Sequence, residues 1–150
     1  MKSSLTFCSI FLLSLQSLAM AFTVNTDGTV TDPTTGLVWQ QIVDTTPRTW
    51  ETALIYCEDL SLAGNNDWRL PNIKELKSIT DDSAHFPAID TTIFPGTLNT
   101  FYWSSTSIVG TPDSAWQVDF NDGRVTSSGG VVHDTGKASS FYTRCVRGGQ

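Results

Sequence analysis

Reactive side chains are in short supply in this 150-residue chain. It has three cysteines and two histidines, and His85 and His133 both fall in segments that read as loops. A nucleophile needs a base within reach, so this scarcity argues against an enzyme of that kind. Ser104-Ser105 can be imagined beside a histidine and an aspartate, but no spacing supports a triad, which is defined by geometry. Positive charge is also thin. Nine Lys and Arg stand against fifteen Asp and Glu, for a formal net charge of −6. A surface of that sign disfavours nucleic acid and anionic lipid as whole-surface partners. The chain has no apolar run long enough for a comfortable membrane span. It also has no internal repeat, coiled-coil pattern or low-complexity tail. Its length allows one domain.

The longest apolar stretch is at the start. Met1-Lys2-Ser3-Ser4 precedes a run from Leu5 to Leu18, broken by Ser9, Ser14, Gln16 and Ser17, and Ala19-Met20-Ala21 closes it. A short basic end, an apolar run and small residues at an A-x-A site mark a secretory signal over residues 1–21. An uncleaved anchor is the alternative. Export implies the periplasm, the cell surface or the medium. Cys8 lies inside the run, far from the cleavage site, and leaves with the signal. The remaining domain, residues 22–150, keeps Cys57 and Cys145. An even count in an exported chain implies a disulfide between them. Closing so long a loop contributes about 4 kcal/mol in the chain-entropy account, which matters to a domain with a modest core.

The first part of the domain reads as strand and turn. Asp27-Gly28 lies between the β-formers Thr23-Val24 and Thr29-Val30-Thr31, a good hairpin signal. Asp32 to Gly36 is a second turn, and Leu37-Val38-Trp39 a short strand entering the core. From Thr49 to Leu62 the period is helical. Trp50, Ala53, Leu54, Cys57 and Leu60 share one face, Thr49 can cap the start, and Gly64 can end it. That face puts Cys57 in the core. A second helix is predicted over Ile73 to Thr80, with Asn72 and Glu75 spaced as a capping box. Residues 81–98 have no period and read as an ordered loop pinned by their aromatics. The last third is β: Phe101 to Ser107, Ala115 to Phe120, a turn at Asn121-Asp122-Gly123, Arg124 to Thr126, and Phe141 to Val146 with Cys145. Strands, two helices packed on an antiparallel sheet and a long ordered loop make an α+β layout.

Several segments resemble one bacterial family. They are Gly28 to Asp32 with Thr35 to Trp39; Ala53 to Cys57 with Leu62-Ala63-Gly64; Asp67 to Pro71 with Glu75-Leu76; Tyr102 to Ser105; Ala115 to Phe120 with Gly123; and Arg144 to Gly149. Together they are similar to the Lcl C-terminal domain family, named for the end of a Legionella collagen-like adhesin. The resemblance implies a C-type-lectin-like fold related to the formylglycine-generating-enzyme group. It also implies a surface or envelope protein, with adhesion to sulfated polysaccharide as the family's clearest activity. The Gly-X-Y stalk of that adhesin is absent, so trimerisation through a stalk does not carry over. The oxidase chemistry of the distant group does not carry over either, because bonded cysteines offer no thiolate.

Each candidate site also has a plain structural reading. Arg69 in Trp68-Arg69-Leu70-Pro71 is expected to pair with Glu75 or Glu58, since a buried guanidinium needs a partner. Asp119, Asn121 and Asp122 could hold calcium, but turns use such residues for backbone reasons, and no metal or cofactor is expected. The lectin tripeptides Glu-Pro-Asn and Gln-Pro-Asp are absent. Trp103 and Trp116 could stack on a sugar, but tryptophan in an alternating strand is more often core. The expected ligand site is the basic segment at the end of the chain. Arg124, Lys137 and Arg144 would meet sulfate or carboxylate groups, with Tyr142 beside Arg144 on the strand face opposite Cys145. Its plain alternative has Arg144 and Arg147 neutralising the acids of the two helices. The expectation is thus an exported, non-enzymatic binding module for an anionic polysaccharide or cell-surface glycan. An envelope module that assembles with other proteins is the alternative.

Overall fold

The computed structural model describes residues 21–127 and 136–149. The expected signal segment with Cys8, and the stretch containing His133, lie outside the described residues. No helix among those described is long and apolar enough to cross a membrane.

Two antiparallel sheets and two helices make an α+β fold. The first sheet has the order β1 (Thr23–Val24), β2 (Thr29–Thr31), β3 (Val38–Gln40), β7 (Val146–Arg147). Its first turn forms where Asp27 Oδ1 accepts the Thr29 amide and Gly28 takes φ 83°, a conformation suited to glycine. The second sheet has the order β4 (Phe101–Ile108), β5 (Thr111–Asp119), β6 (Arg124–Ser127).

Helix α1 runs Trp50–Glu58, with the Thr49 hydroxyl accepting the Thr52 amide. It stops short of the expected Leu62. The Leu60 amide turns back to the Cys57 carbonyl, Ala63 and Gly64 take positive φ, and Leu62 bridges to Asn65, so the chain reverses there. Helix α2 runs Ile73–Ser78 behind the expected capping box: Asn72 Oδ1 accepts the Glu75 amide and Glu75 Oε2 accepts the Asn72 amide.

The second sheet lies between the helices. Tyr102 and Val118 cluster with Leu76 and Ile79 around α2, while Trp103 and Ala115 cluster with Ala53 and Cys57 of α1. Successive strand residues point to opposite faces, so the two helices cover opposite sides. The Cys57–Cys145 disulfide fastens α1 to the chain just before β7. The segment expected as one last strand changes partners instead. Phe141 bridges to Arg48, Tyr142 to Tyr102 and Val146 to Arg69, so only Val146–Arg147 is a regular strand.

Residues 81–98 are held against this frame without regular strands or helices. Ala88, Ile89 and Phe94 are buried, and the Ala88 amide donates to the Phe120 carbonyl. Phe86 does the opposite of the expected pinning: it is 70% exposed.

Candidate functional site

The expected cluster of Arg124, Lys137, Arg144 and Tyr142 does not form. Arg144 is the first correction, because its exposure is 0%. Its Nη1 donates to the Gln40 and Gln41 carbonyls at 2.6 Å each, its Nη2 donates to Thr97 Oγ1 at 2.6 Å, and its carbon centre lies 4.8 Å from the Phe94 ring. Burial pushes its pKa down to about 10. The guanidinium therefore remains charged at neutral pH, bound by neutral oxygens, with no carboxylate within salt-bridge distance among the described residues. It cannot meet a ligand, nor does it neutralise a helix acid. Tyr142 is half-buried, with its ring 5.8 Å from that of Tyr102.

Lys137 and Arg124 belong to opposite ends of strand β5. Lys137 Nζ donates to the Pro112 carbonyl and Ser107 Oγ and sits 3.8 Å from the centre of the Trp50 ring. It forms one rim of a groove of about 660 Å³ that also includes Trp50, Glu51 and Asp113. Arg124 pairs with Asp119 across the β5–β6 ladder. From Pro112 to Asp119 is seven steps of extended chain, or roughly 23 Å. Counting charge along the sequence joined residues that the hairpin holds apart.

The Arg124 side chain is 75% exposed and its Nε lies 2.6 Å from Asp122 Oδ2. The next residue, Val125, is 41% exposed and points to the opposite face of β6, and each face carries its own groove. One, of about 200 Å³, contains Arg124, Phe101 and Thr126. The other, of about 370 Å³, is lined by Ile73, Lys74, Lys77 and Val125. Lys74 is exposed and makes no hydrogen bond or ion pair with the described residues. Lys77 Nζ reaches Asp82 Oδ1 at 2.7 Å. Lys74 and Lys77 went unnoticed in the sequence because they precede Arg124 by some fifty residues. Only the packing of α2 against β6 brings them beside Val125.

The loop of residues 81–88 borders this region. The Phe86 amide donates to the Asn121 carbonyl at 3.0 Å. A Cβ placed on Gly123 would lie 3.5 Å from Ala88 Cβ and from Asp82 Oδ1, so the turn and the loop are in contact. The loop is also tied internally, by Asp81 N to the Ala88 carbonyl and by Ser83 N to Asp81 Oδ1. Phe86 has φ 59°, uncommon for any residue with a side chain.

The other candidates have structural partners. Arg69 makes two 2.8 Å bonds to Glu75 and a third to the Gly148 carbonyl. Burial raises the Glu75 carboxyl, but the Arg69 bonds and the Asn72 amide outweigh it and hold the group below its ordinary value. Arg147 pairs with Asp67, outside either helix, and that bond lowers the Asp67 carboxyl. Trp103 is fully buried and donates to the Arg48 carbonyl, and Trp116 is half-buried. At the acidic turn, Asp119 Oδ1 accepts the Asn121 amide while Asp122 takes the Arg124 amide and side chain. These carboxylates are engaged in holding the turn and its arginine.

The structure thus defines a disulfide-tied α+β domain with Lys74 and Lys77 beside the exposed Val125 on one face of edge strand β6, and Arg124 on the other face. The chain belongs to the Lcl C-terminal domain family, whose pattern matches residues 28–147. No curated protein matches it.

Proposed function

We propose that this protein is an exported, non-enzymatic binding module for anionic polysaccharide, acting in the periplasm, at the cell surface or outside the cell. The observation that carries the reading is the groove of Ile73, Val125, Lys74 and Lys77, with Arg124 on the other face of the same edge strand. An apolar floor suits the carbon face of a sugar ring, and flanking cations suit sulfate or carboxylate substituents. Lys74 adds a cation whose ammonium has no partner among the described residues. The disulfide supports export, since such bonds persist in oxidising compartments. Family membership supports adhesion as the purpose.

The acidic net charge limits the affinity and its range. Repulsion of a polyanion by the whole protein is screened beyond roughly 10 Å at 0.1 M salt, and attraction comes only from contact with the local cations. Binding is therefore weak and salt-sensitive. Dextran sulfate with unsulfated dextran as control tests this in calorimetry at low salt. Sulfate-dependent binding should weaken a few-fold in Lys74→Ala, as expected for an exposed charge contact of about 0.5–1 kcal/mol. Equal binding of both polymers, or an unaffected Lys74→Ala, overturns the assignment.

A further inference from the structure

We infer that Phe86 is the sugar-stacking platform of this binding surface, and that its ligand is a pyranose polymer offering an apolar ring face beside its anionic groups. The inference rests on the polysaccharide reading for the ligand class, but its observations are separate. Phe86 carries two costs that the fold does not require. Its ring gains little from burial, and its backbone sits at φ 59°. A bulky residue held in that region is a strained outlier, and such strain persists only where the surroundings enforce it.

The surroundings do enforce it. The Phe86 amide is fixed to the Asn121 carbonyl, Ala88 N to the Phe120 carbonyl and Asp81 N to the Ala88 carbonyl. The ring therefore projects from a pinned loop and is ready to stack without a large ordering cost on binding. It also sits beside the right chemistry. Its anchor, Asn121, opens the turn that carries Asp122 and Arg124. Asp82 of the same loop holds Lys77. The Asp82–Lys77 pair of the same loop gives this aromatic the polar company that the mixed apolar and polar surface of a sugar calls for.

The test uses calorimetry on the exported protein with dextran sulfate and unsulfated dextran oligosaccharides. Phe86→Ala should weaken both by about tenfold, the upper end for an aromatic contact, with no fall in melting temperature. Phe86→Trp should preserve binding of both. Arg124→Ala should instead weaken dextran sulfate a few-fold and leave unsulfated dextran unchanged. If Arg124→Ala loses dextran sulfate while Phe86→Ala binds as wild type, the stacking role is wrong and the anionic reading stands. If wild type binds both polymers alike and only Phe86→Ala loses them, the anionic reading is wrong and the stacking role stands. If wild type binds neither, both fail. A large fall in the melting temperature of Phe86→Ala would make Phe86 a structural residue and overturn the inference.

Discussion

The last described segment, from Phe141 to Arg147, and the β6 return at Arg124 both bear arginine and use it in opposite ways. Arg144 is enclosed, its guanidinium binding two carbonyls and a hydroxyl contributed by residues 40, 41 and 97. Arg124 lies in solvent beside a single aspartate of its own turn. One links three distant parts of the chain, and the other, among the described residues, pairs only within its hairpin. Charge counted along the sequence treats them alike, but only the exposed one contributes to the field a ligand meets. The buried one is part of the architecture.

The sharpest way to break this contrast is to remove what fixes the enclosed segment. Replacing Cys57 and Cys145 by serine opens a constraint across 88 residues and should cost about 4 kcal/mol in urea unfolding. A much smaller loss would mean that the segment around Arg144 is held without the bridge. Arg144→Met is the next largest. It removes the cost of burying a charge but strands the Gln40 and Gln41 carbonyls, while the Thr97 hydroxyl keeps its bond to the Phe94 carbonyl. Unsatisfied buried groups cost about 1–3 kcal/mol each, so a net loss of about 3 kcal/mol is expected after that relief. A neutral or stabilised variant would show that the charge outweighs its hydrogen bonds.

These two residues also mark where sequence reasoning works and where it stops. Cys57 was legible because its partners on the stripe, Trp50 and Ala53, are its neighbours in the helix, and period alone places them. The capping box of Asn72 and Glu75 was legible for the same local reason. Arg144 was not, since its acceptors lie about fifty and a hundred residues away and two of them are backbone carbonyls, to which residue type gives no clue. The groove of Lys74, Lys77 and Val125 depends likewise on α2 packing against β6. Phe86 was misread because an aperiodic stretch gives no means of telling which apolar residues turn inward.

A milder perturbation acts on the pair that braces the enclosed segment from the side. Glu75 binds Arg69, caps α2 and, through Arg69, holds the Gly148 carbonyl. Glu75→Ala should cost about 1–2 kcal/mol near neutral pH, from the lost cap and ion pair. The sign of its pH dependence follows from the lowered carboxyl. The folded state holds the proton less tightly than the unfolded chain, whose value is near 4.5. The contribution is therefore fully present above that value and is lost as pH falls through the lower folded value. Wild type and Glu75→Ala should converge in melting temperature under acid, and a gap that widens there would show that the pair is not the source.

The smallest expected effect is on the exposed side of the comparison. Arg124→Ala removes a guanidinium that is mostly in solvent and paired only within its own turn. Its stability should stay within about 0.5 kcal/mol of wild type, as for other surface changes. Asp122 keeps the turn, because its Oδ1 still accepts the amide of residue 124. Binding should behave differently. Loss of the cation beside Val125 should weaken dextran sulfate a few-fold at low salt and progressively less as salt rises, because mobile ions already screen that contact in wild type. Stability and binding thus respond in opposite proportion at Arg124 and Arg144, and urea unfolding paired with calorimetry on the same two variants measures both. A clear stability loss in Arg124→Ala, or an effect on binding that does not shrink with salt, would mean that this arginine too belongs to the architecture.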